Sequence, residues 1–190
     1  MDNLSSVYET HLKKLPLVQK GKVRDIYGIG TDHLLIITTD RLSAFDVVFD
    51  QPIPDKGKIL TSIANYWFNK TDHIIQNHLS NIGLEDVLSK EEAEALHGRA
   101  IVVKKLKPIA IEAVVRGYLI GSGWKEYNST GSVCGISLPP QMRLAEKLES
   151  PLYTPSSKAV VGEHDANISF NETENIVGSK IATQIKKISL

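Results

Sequence analysis

Two neighbouring segments near the start of the chain decide its fold: LVQKGKVRDIYGIG (17–30) and DHLLIITTD (32–40). Both are rich in β-branched and other strand-forming residues, and the first ends in a turn that contains glycine. Asp32, at the junction, is typical of a hairpin tip. The two segments therefore predict a pair of antiparallel strands that opens the fold.

Helical patterns follow this hairpin. In KILTSIANYWFNKTDHII (58–75), apolar residues recur at three- and four-residue spacing, which predicts an amphipathic helix. Ser89 and Glu92 form the capping box of a second helix, which Gly98 ends. Near the C-terminal end, Asn171 is placed as the N-cap of a helix with several isoleucines on one face.

Strands and loops occupy the region between these helices. RAIVVKKL (99–106) and IAIEAVVRGYLI (109–120) are β-branched and predict strands, whereas the loops that follow hold a short helix around 124–127. The pattern predicts an α+β protein. We expect an N-terminal antiparallel-sheet lobe over residues 1–106 and part of a larger α+β lobe over 107–190.

Composition excludes several classes of protein. Lys and Arg number 22, as do Asp and Glu, so the chain lacks the basic excess of a nucleic-acid-binding protein. The single cysteine, Cys134, cannot form an internal disulfide. The start carries no apolar core of signal-peptide length, and no stretch has the length of a membrane span. We expect a cytoplasmic protein that binds neither membranes nor nucleic acid.

The segment KGKVRD (20–25) is the first candidate site. On a continuous strand, Lys20, Lys22 and Arg24 would share one face, with neighbours roughly 6.5–7 Å apart. Such a face suits a triphosphate, and Gly21 would let backbone N–H groups approach the anion. A solvated strand face is the alternative.

The segment TTDRLSAFDVV (38–48) is the second candidate site. Asp40, Arg41, Ser43 and Asp46 crowd a turn between apolar segments. Side chains in such a turn can orient ligand hydroxyls and phosphates, or they can satisfy the backbone of the turn itself. The residues alone leave both readings open.

An arginine in an apolar run marks the third candidate site, IEAVVRGYLIGSGW (111–124). Burying Arg116 without an anionic partner is costly, and Glu112 would lie roughly 13 Å away on a straight strand. We therefore expect a distant carboxylate or a ligand phosphate as its partner, and the following Gly-Ser-Gly offers backbone donors and the hydroxyl of Ser122.

The fourth candidate site is TPSSKAVVGEHDANIS (154–169), a stretch with little secondary-structure pattern. It carries Lys158, His164 and Asp165, and functional loops concentrate polar side chains in this way. One His-Asp pair does not have the spacing of a zinc or iron site, so we predict no metal ligands here.

Taken in order, these four segments resemble the SAICAR synthetase family. The matching strings are KGKVRDIY, TTDRLSAFDVV with IPDKGKILT, IEAVVRGYLIGSGWKEY and TPSSKAVVGEHDANIS, so the resemblance covers essentially the whole chain. It implies an ATP-dependent ligase of purine biosynthesis that joins CAIR to L-aspartate and releases SAICAR, ADP and phosphate. It also implies Mg²⁺ as a cofactor and an ATP site between the two lobes.

The resemblance also implies roles for individual residues. ATP would be bound by Lys22 and Arg24 through its phosphates and by the linking segment Lys104 to Leu106 through adenine. Catalysis would fall to Lys158 and Asp165. Substrate binding would fall to four residues: Ser43, Arg116, Ser122 and His164.

The chain departs from the family pattern in two ways. Ala166 stands where the family commonly has glutamate. The family also continues into Asp-x-Lys-x-Glu-Phe-Gly and Pro-Asp-Ser-Ser-Arg stretches that carry the Mg²⁺ ligands, and neither occurs in these 190 residues. We therefore expect a C-terminally truncated synthetase. The alternative is a nucleotide-binding remnant without catalytic activity.

Overall fold

The computed structural model describes residues 6–158 and 165–190. The chain divides into two compact units, Met1–Leu106 (unit 1) and Lys107–Leu190 (unit 2). The strand pairings of the described residues are all antiparallel, and helices lie between strands along the chain. The α+β class expected from the sequence is confirmed.

Unit 1 contains a four-stranded sheet and two helices among its described residues. Its elements are β1 (Leu17–Lys20), β2 (Arg24–Ile29), β3 (His33–Thr38), β4 (Ser43–Ala44), β5 (Val47–Val48), α1 (Lys56–Lys70), α2 (Lys90–Leu96) and β6 (Ala100–Lys104). The sheet has the order β1-β2-β3-β6, and β4 and β5 form a separate hairpin. The predicted hairpin at the start of the fold is the pair β2–β3.

One face of this sheet carries the core of unit 1. Tyr27, Leu35 and Ile37 alternate along β2 and β3, as the two-residue period requires. They pack with Leu88 and Leu96, which come from the segment before α2 and from α2 itself. Residues of α2 and of the segment before it therefore cover this face of the sheet.

The reading of residues 20–25 as one strand is wrong. Strand β1 ends at Lys20 and β2 begins at Arg24, and a bond from the Gly21 N–H to the Arg24 carbonyl, 2.7 Å long, closes the reversal between them. Leu17 consequently lies opposite Tyr27. Lys22 lies in the turn, so the three cations do not share one strand face. We call residues 21–23 the β1–β2 loop.

Helix α1 packs against β3 through small residues. The Thr61 hydroxyl lies 3.1 Å from that of Thr38, and a Cβ added at Gly57 would come within 2.1 Å of the Thr38 carbonyl oxygen. Only glycine permits this approach. The apolar stripe predicted for the helix does not face the sheet, because Ile59 and Trp67 are each 57% exposed.

The predicted capping box of α2 is present. Ser89 Oγ accepts from the Glu92 N–H at 3.3 Å, and the Glu92 carboxylate accepts from the Ser89 N–H at 3.1 Å. Gly98 follows with φ of 78°, the left-handed conformation that the sequence predicted there. Local signals of this kind need no tertiary context.

Unit 2 has shorter strands. Its elements are β7 (Ile111–Glu112), β8 (Val115–Tyr118), α3 (Gly121–Thr130), β9 (Ser132–Val133), β10 (Ile136–Ser137), β11 (Lys147–Tyr153), β12 (Ser156–Ser157), β13 (Ala166–Asn167), α4 (Phe170–Val177) and α5 (Ser179–Ser189). Strand β8 pairs with β11, and β12 lies between β7 and β13. Its core gathers around Leu119, Tyr127 and Val133.

Two expectations for unit 2 are corrected. The run 109–120 is not one strand, because β7 and β8 belong to different sheets. The C-terminal helix begins after Ser169, not Asn171: Ser169 Oγ accepts from the Glu172 N–H at 3.2 Å and completes a capping box. Gly178, with φ of 84°, then separates α4 from α5. Within the described ranges, no helix is long and apolar enough to cross a membrane.

Candidate functional site

The β1–β2 loop and the first residue of β2 present two cations at the edge of the unit 1 sheet. Lys22 and Arg24 are both exposed, and the Lys22 ammonium forms an ion pair with the Asp46 carboxylate. Lys20, the third cation of the sequence motif, pairs instead with Glu9 at 2.5 Å. The structure thus keeps Lys22 and Arg24 together as a candidate anion site and gives Lys20 a partner in the chain.

Asp46 reaches Lys22 from the hairpin formed by β4 and β5. Phe45 and Asp46 occupy its two-residue turn with φ values of 49° and 65°, the left-handed pair that such turns require. Neither is glycine, so the turn carries backbone strain of the kind that collects at functional sites. Ser43, which we predicted to bind substrate, begins this hairpin and is half-buried.

Asp40 and Arg41, in contrast, are buried structural residues. Asp40 is fully buried and lies 2.9 Å from Arg99 Nη1, while the N–H groups of Val7 and Gly57 each donate to it at 2.8 Å. Burial alone would raise the pKa of Asp40, but Arg99 and the two N–H donors outweigh it and lower the pKa. The cluster of residues 40–46 therefore divides into a buried half and an exposed half.

Lys56 is a cation that the sequence analysis did not single out. It is the first residue of α1 and is half-buried. Burial lowers the pKa of its ammonium; Asp40 opposes this, and the positive charges of Arg24 and Arg41 reinforce it. Its place in the string IPDKGKILT was the available signal. Lys56 therefore adds to the positive charge of Lys22 and Arg24 at the edge of the unit 1 sheet.

The segment predicted to hold adenine lies at the end of β6. The Lys104 N–H donates to the His78 carbonyl at 2.8 Å, and the Lys105 N–H donates to the Asp32 carbonyl at 2.8 Å. The side chain of Leu106, in contrast, is 63% exposed. The segment is thus held by its backbone while an apolar side chain remains open.

Unit 2 builds a second polar cluster around Arg116. Arg116 Nη2 donates to Ser122 Oγ at 2.8 Å, and Nη1 donates to the Ile120 carbonyl at 3.2 Å. Beyond them, Ser122 Oγ lies 3.2 Å from Asn167 Oδ1, and Asn167 Nδ2 donates to the Glu126 carboxylate at 2.7 Å. The structure therefore brings together two predicted residues, Arg116 and Ser122, and adds two that were missed.

The position of the Arg116 guanidinium favours an anion. Arg116 forms no ion pair with a carboxylate among the described residues, and its Nε is buried without a hydrogen-bond partner there. A Cβ added at Gly123 would lie 3.0 Å from that Nε, so the guanidinium rests on the first turn of α3. A helix N-terminus beside an arginine is a suitable place for a phosphate.

Of the remaining predicted residues, Lys158 and Asp165 flank residues 159–164. His164 lies outside the described residues. Lys158 follows β12 and Asp165 precedes β13, and both are exposed. Within residues 6–158 and 165–190, no three His, Cys, Asp or Glu side chains group closely enough to hold a metal ion.

Cys134 does not contribute a reactive group. It is buried in the core of unit 2, and burial, with the nearby charge of Glu126, raises the pKa of its thiol to about 11. The thiolate is the reactive form of cysteine, so this side chain is inert at neutral pH.

Solved structures define the class of fold. The SAICAR synthase of Saccharomyces cerevisiae, solved in complex with SAICAR, matches with a TM-score of 0.87 and 36% identity over 97% of this chain and 63% of its own. The SAICAR synthetase of Pyrococcus horikoshii shares the fold at a TM-score of 0.65 and 20% identity, covering 87% of this chain and 63% of its own. The protein thus has the fold of a SAICAR synthase.

The chain belongs to the SAICAR synthetase family, whose model matches residues 17–190. The phosphoribosylaminoimidazole-succinocarboxamide synthase of Cupriavidus taiwanensis is 55% identical over 98% of this chain, and that of Ralstonia nicotianae is equally similar. The resemblance found in the sequence motifs is confirmed. The chain spans 62% of the length of these two relatives.

Proposed function

We propose that this chain supplies the ATP- and ribonucleotide-binding parts of an ATP-dependent ligase of purine biosynthesis, which joins CAIR to L-aspartate. The observation that carries the proposal is the Arg116 guanidinium, which lies on the first turn of α3 and has no carboxylate partner in the described chain. Membership of the SAICAR synthetase family supplies the reaction.

Unit 1 is proposed to bind ATP. The exposed cations Lys22 and Arg24 would contact its phosphates, and Lys56 adds positive charge beside them. The segment from Lys104 to Leu106 would hold adenine, because its backbone is anchored and the Leu106 side chain is open. Binding of this kind would require Lys22 to leave Asp46 for a phosphate oxygen.

Unit 2 is proposed to bind the ribonucleotide. The two Nη groups of Arg116, the Ser122 hydroxyl and the N-terminus of α3 would share the phosphate of CAIR. Asn167 holds Ser122 from the other side at 3.2 Å. A planar guanidinium with a hydroxyl beside it suits the tetrahedral phosphate better than it suits an uncharged sugar.

The proposed reaction has two steps. The carboxylate of CAIR attacks the γ-phosphorus of ATP, which forms an acyl phosphate and releases ADP. The amino group of aspartate then attacks the acyl carbon, phosphate leaves, and the amine gives up its proton as the amide forms. Lys158 would offset the negative charge of the reacting carboxylate, and Asp165 and His164 would contact aspartate. The protein acts mainly by placing these groups together.

Among the described residues, no group of three or more His, Cys, Asp or Glu side chains could hold Mg²⁺ without the nucleotide. None of the steps above is therefore assigned to a metal held by these residues. Mg²⁺ would enter with the nucleotide, and the prediction that its ligands belong to the family's later segments stays a prediction.

Binding without turnover is a second candidate function, since the contacts described for both units are those of anion binding. One set of measurements separates the two. The melting temperature of the chain is measured with ATP, with CAIR and with neither. A separate sample is incubated with ATP, Mg²⁺, aspartate and CAIR while SAICAR absorbance is followed. Ligase activity requires product above a control without protein. A rise in melting temperature with both ligands but no product supports the second function, and no rise with either ligand refutes both.

A further inference from the structure

We propose that Arg41, assisted by Thr39, is a positioning residue that sets the shape of the β1–β2 loop for phosphate binding. The inference rests on the proposed function of that loop. Arg41 lies in the second sequence motif, where the residues alone could not distinguish contact with a ligand from support of the backbone. The structure separates these two possibilities.

Residues 39 and 41 bind three successive carbonyl groups of the loop. Arg41 donates from Nη2 to the Gly21 carbonyl and from Nε to the Lys22 carbonyl, each at 2.9 Å. The backbone N–H and the hydroxyl of Thr39 donate to the Val23 carbonyl at 3.0 and 2.9 Å. Every carbonyl of the loop is therefore engaged from residues 39–41.

The guanidinium also binds two groups outside the loop. Nη2 pairs with Asp25 at 2.7 Å, and Nη1 donates to the Tyr8 carbonyl at 2.5 Å. The Arg41 side chain is 3% exposed and the Asp25 side chain 2%. Asp25 is held in turn by the hydroxyl of Thr10 at 2.8 Å. With its side chain only 3% exposed, Arg41 lacks the accessibility to contact a nucleotide, so it acts through the loop backbone.

Because Arg41 and Thr39 hold the carbonyl groups of the β1–β2 loop, they also orient its backbone N–H groups. In the described part of the chain, the N–H groups of Lys22 and Val23 donate to no other group, whereas the Gly21 N–H closes the turn on the Arg24 carbonyl. In a turn, successive N–H groups without a partner can form a concavity that binds anions. A lysine in place of Arg41 could not make the same hydrogen bonds, because a guanidinium spans the adjacent carbonyls of Gly21 and Lys22 with a rigid fork and an ammonium does not.

Arg99 provides a matched control in the same unit. Its side chain is 1% exposed and pairs with Asp40 at 2.9 Å. Among the described residues, it forms no hydrogen bond or ion pair with the β1–β2 loop. Arg41→Lys and Arg99→Lys each perturb a buried ion pair of unit 1. Only Arg41→Lys removes bonds to the loop carbonyls.

The test measures dissociation constants for ATP and for CAIR by calorimetric titration of the whole chain, so it does not depend on turnover. We expect Arg41→Lys to weaken ATP binding about tenfold or more and to leave CAIR binding within about twofold. Arg99→Lys should lower the melting temperature but leave ATP binding within about twofold. Thr39→Val, which keeps the backbone bond to Val23 and loses the hydroxyl bond, should weaken ATP binding about two- to fivefold.

Several outcomes would overturn the proposal. They are unchanged ATP affinity in Arg41→Lys, an equal loss of ATP and CAIR affinity, and a loss in Arg99→Lys as large as that in Arg41→Lys. If Arg41→Lys does not fold, Thr39→Val decides, and unchanged ATP affinity in it refutes the inference. Failure of the unsubstituted chain to bind ATP would instead refute the proposed function of the loop, and this inference with it.

Discussion

Replacing Asp40 by asparagine should destabilise unit 1 strongly. The Asp40 carboxylate accepts from the N–H groups of Val7 and Gly57, and it pairs with Arg99, whose side chain is 1% exposed. Asparagine keeps the size of the side chain, but it removes the charge and turns one acceptor into a donor. Loss of one partner from a buried ion pair costs about 3–5 kcal/mol, because the other charge stays buried without compensation. We expect a loss of stability in this range.

The two tryptophans allow this loss to be assigned to unit 1. Trp67 lies in α1, whose first turn contacts Asp40 through Gly57, and Trp124 lies in unit 2. In a Trp124→Phe background, urea unfolding followed by Trp67 fluorescence reports on unit 1. With a slope of about 2 kcal/mol per molar urea, the midpoint should fall by about 2 M in Asp40→Asn.

A matched substitution controls for the loss of a carboxylate as such. Asp46 also pairs with a cation, Lys22, but both side chains are more than half exposed. Asp46→Asn should therefore cost less than about 1 kcal/mol. A shift below about 0.5 M urea in Asp40→Asn, or equal shifts in the two variants, would refute the view that the buried pair anchors α1 to the sheet.

Three further predictions concern both units. Arg116→Ala should weaken CAIR binding at least tenfold more than ATP binding in calorimetric titrations, with the exposed Arg143→Ala as control; equal losses for both ligands would make Arg116 a structural residue. Gly57→Ala should lower the free energy of unfolding by about 1–3 kcal/mol and so lower the urea midpoint, because the added Cβ would meet the Thr38 carbonyl oxygen at 2.1 Å. Helix propensity alone predicts the opposite sign, so an unchanged or higher midpoint contradicts the packing. The pKa of Asp40 is lower in the folded state, so its contribution to stability is complete above the unfolded pKa of about 3.9 and is lost as the pH falls through the folded pKa. In this acid range, Asp40→Asn should lose less stability than the unsubstituted chain. Identical pH profiles for the two proteins would contradict the assignment.

Local signals in the sequence predicted much of unit 1. The capping box of Ser89 and Glu92 and the left-handed Gly98 depend on residues within a few positions of one another, so no tertiary information was needed. The β2–β3 hairpin was likewise predicted from strand-forming runs on either side of a turn. The Asn171 cap failed because Ser169 makes the better local pair with Glu172.

The roles of the polar residues at 40–46 could not be predicted in the same way. Whether Asp40 and Arg41 face a ligand or the interior depends on Arg99 and Asp25, which lie far away in the sequence. The reversal at Gly21 was hidden for a related reason, since a run of strand-forming residues does not reveal where a strand turns back. For Arg116 and Ser122 the sequence indicated the pair, but it gave no sign of the support from Asn167.

Arg41 and Thr39 recognise the β1–β2 loop only through carbonyl oxygens, which every amino acid supplies. The geometry of the loop and its charge are therefore encoded at separate positions: geometry at 39 and 41, charge at 22 and 24. If the loop binds phosphate as proposed, substitutions at Lys22 or Val23 would change its anion preference and keep the carbonyl bonds that hold its backbone. The backbone conformation of the loop and its proposed anion preference therefore depend on different segments, so one can change by mutation while the other is kept.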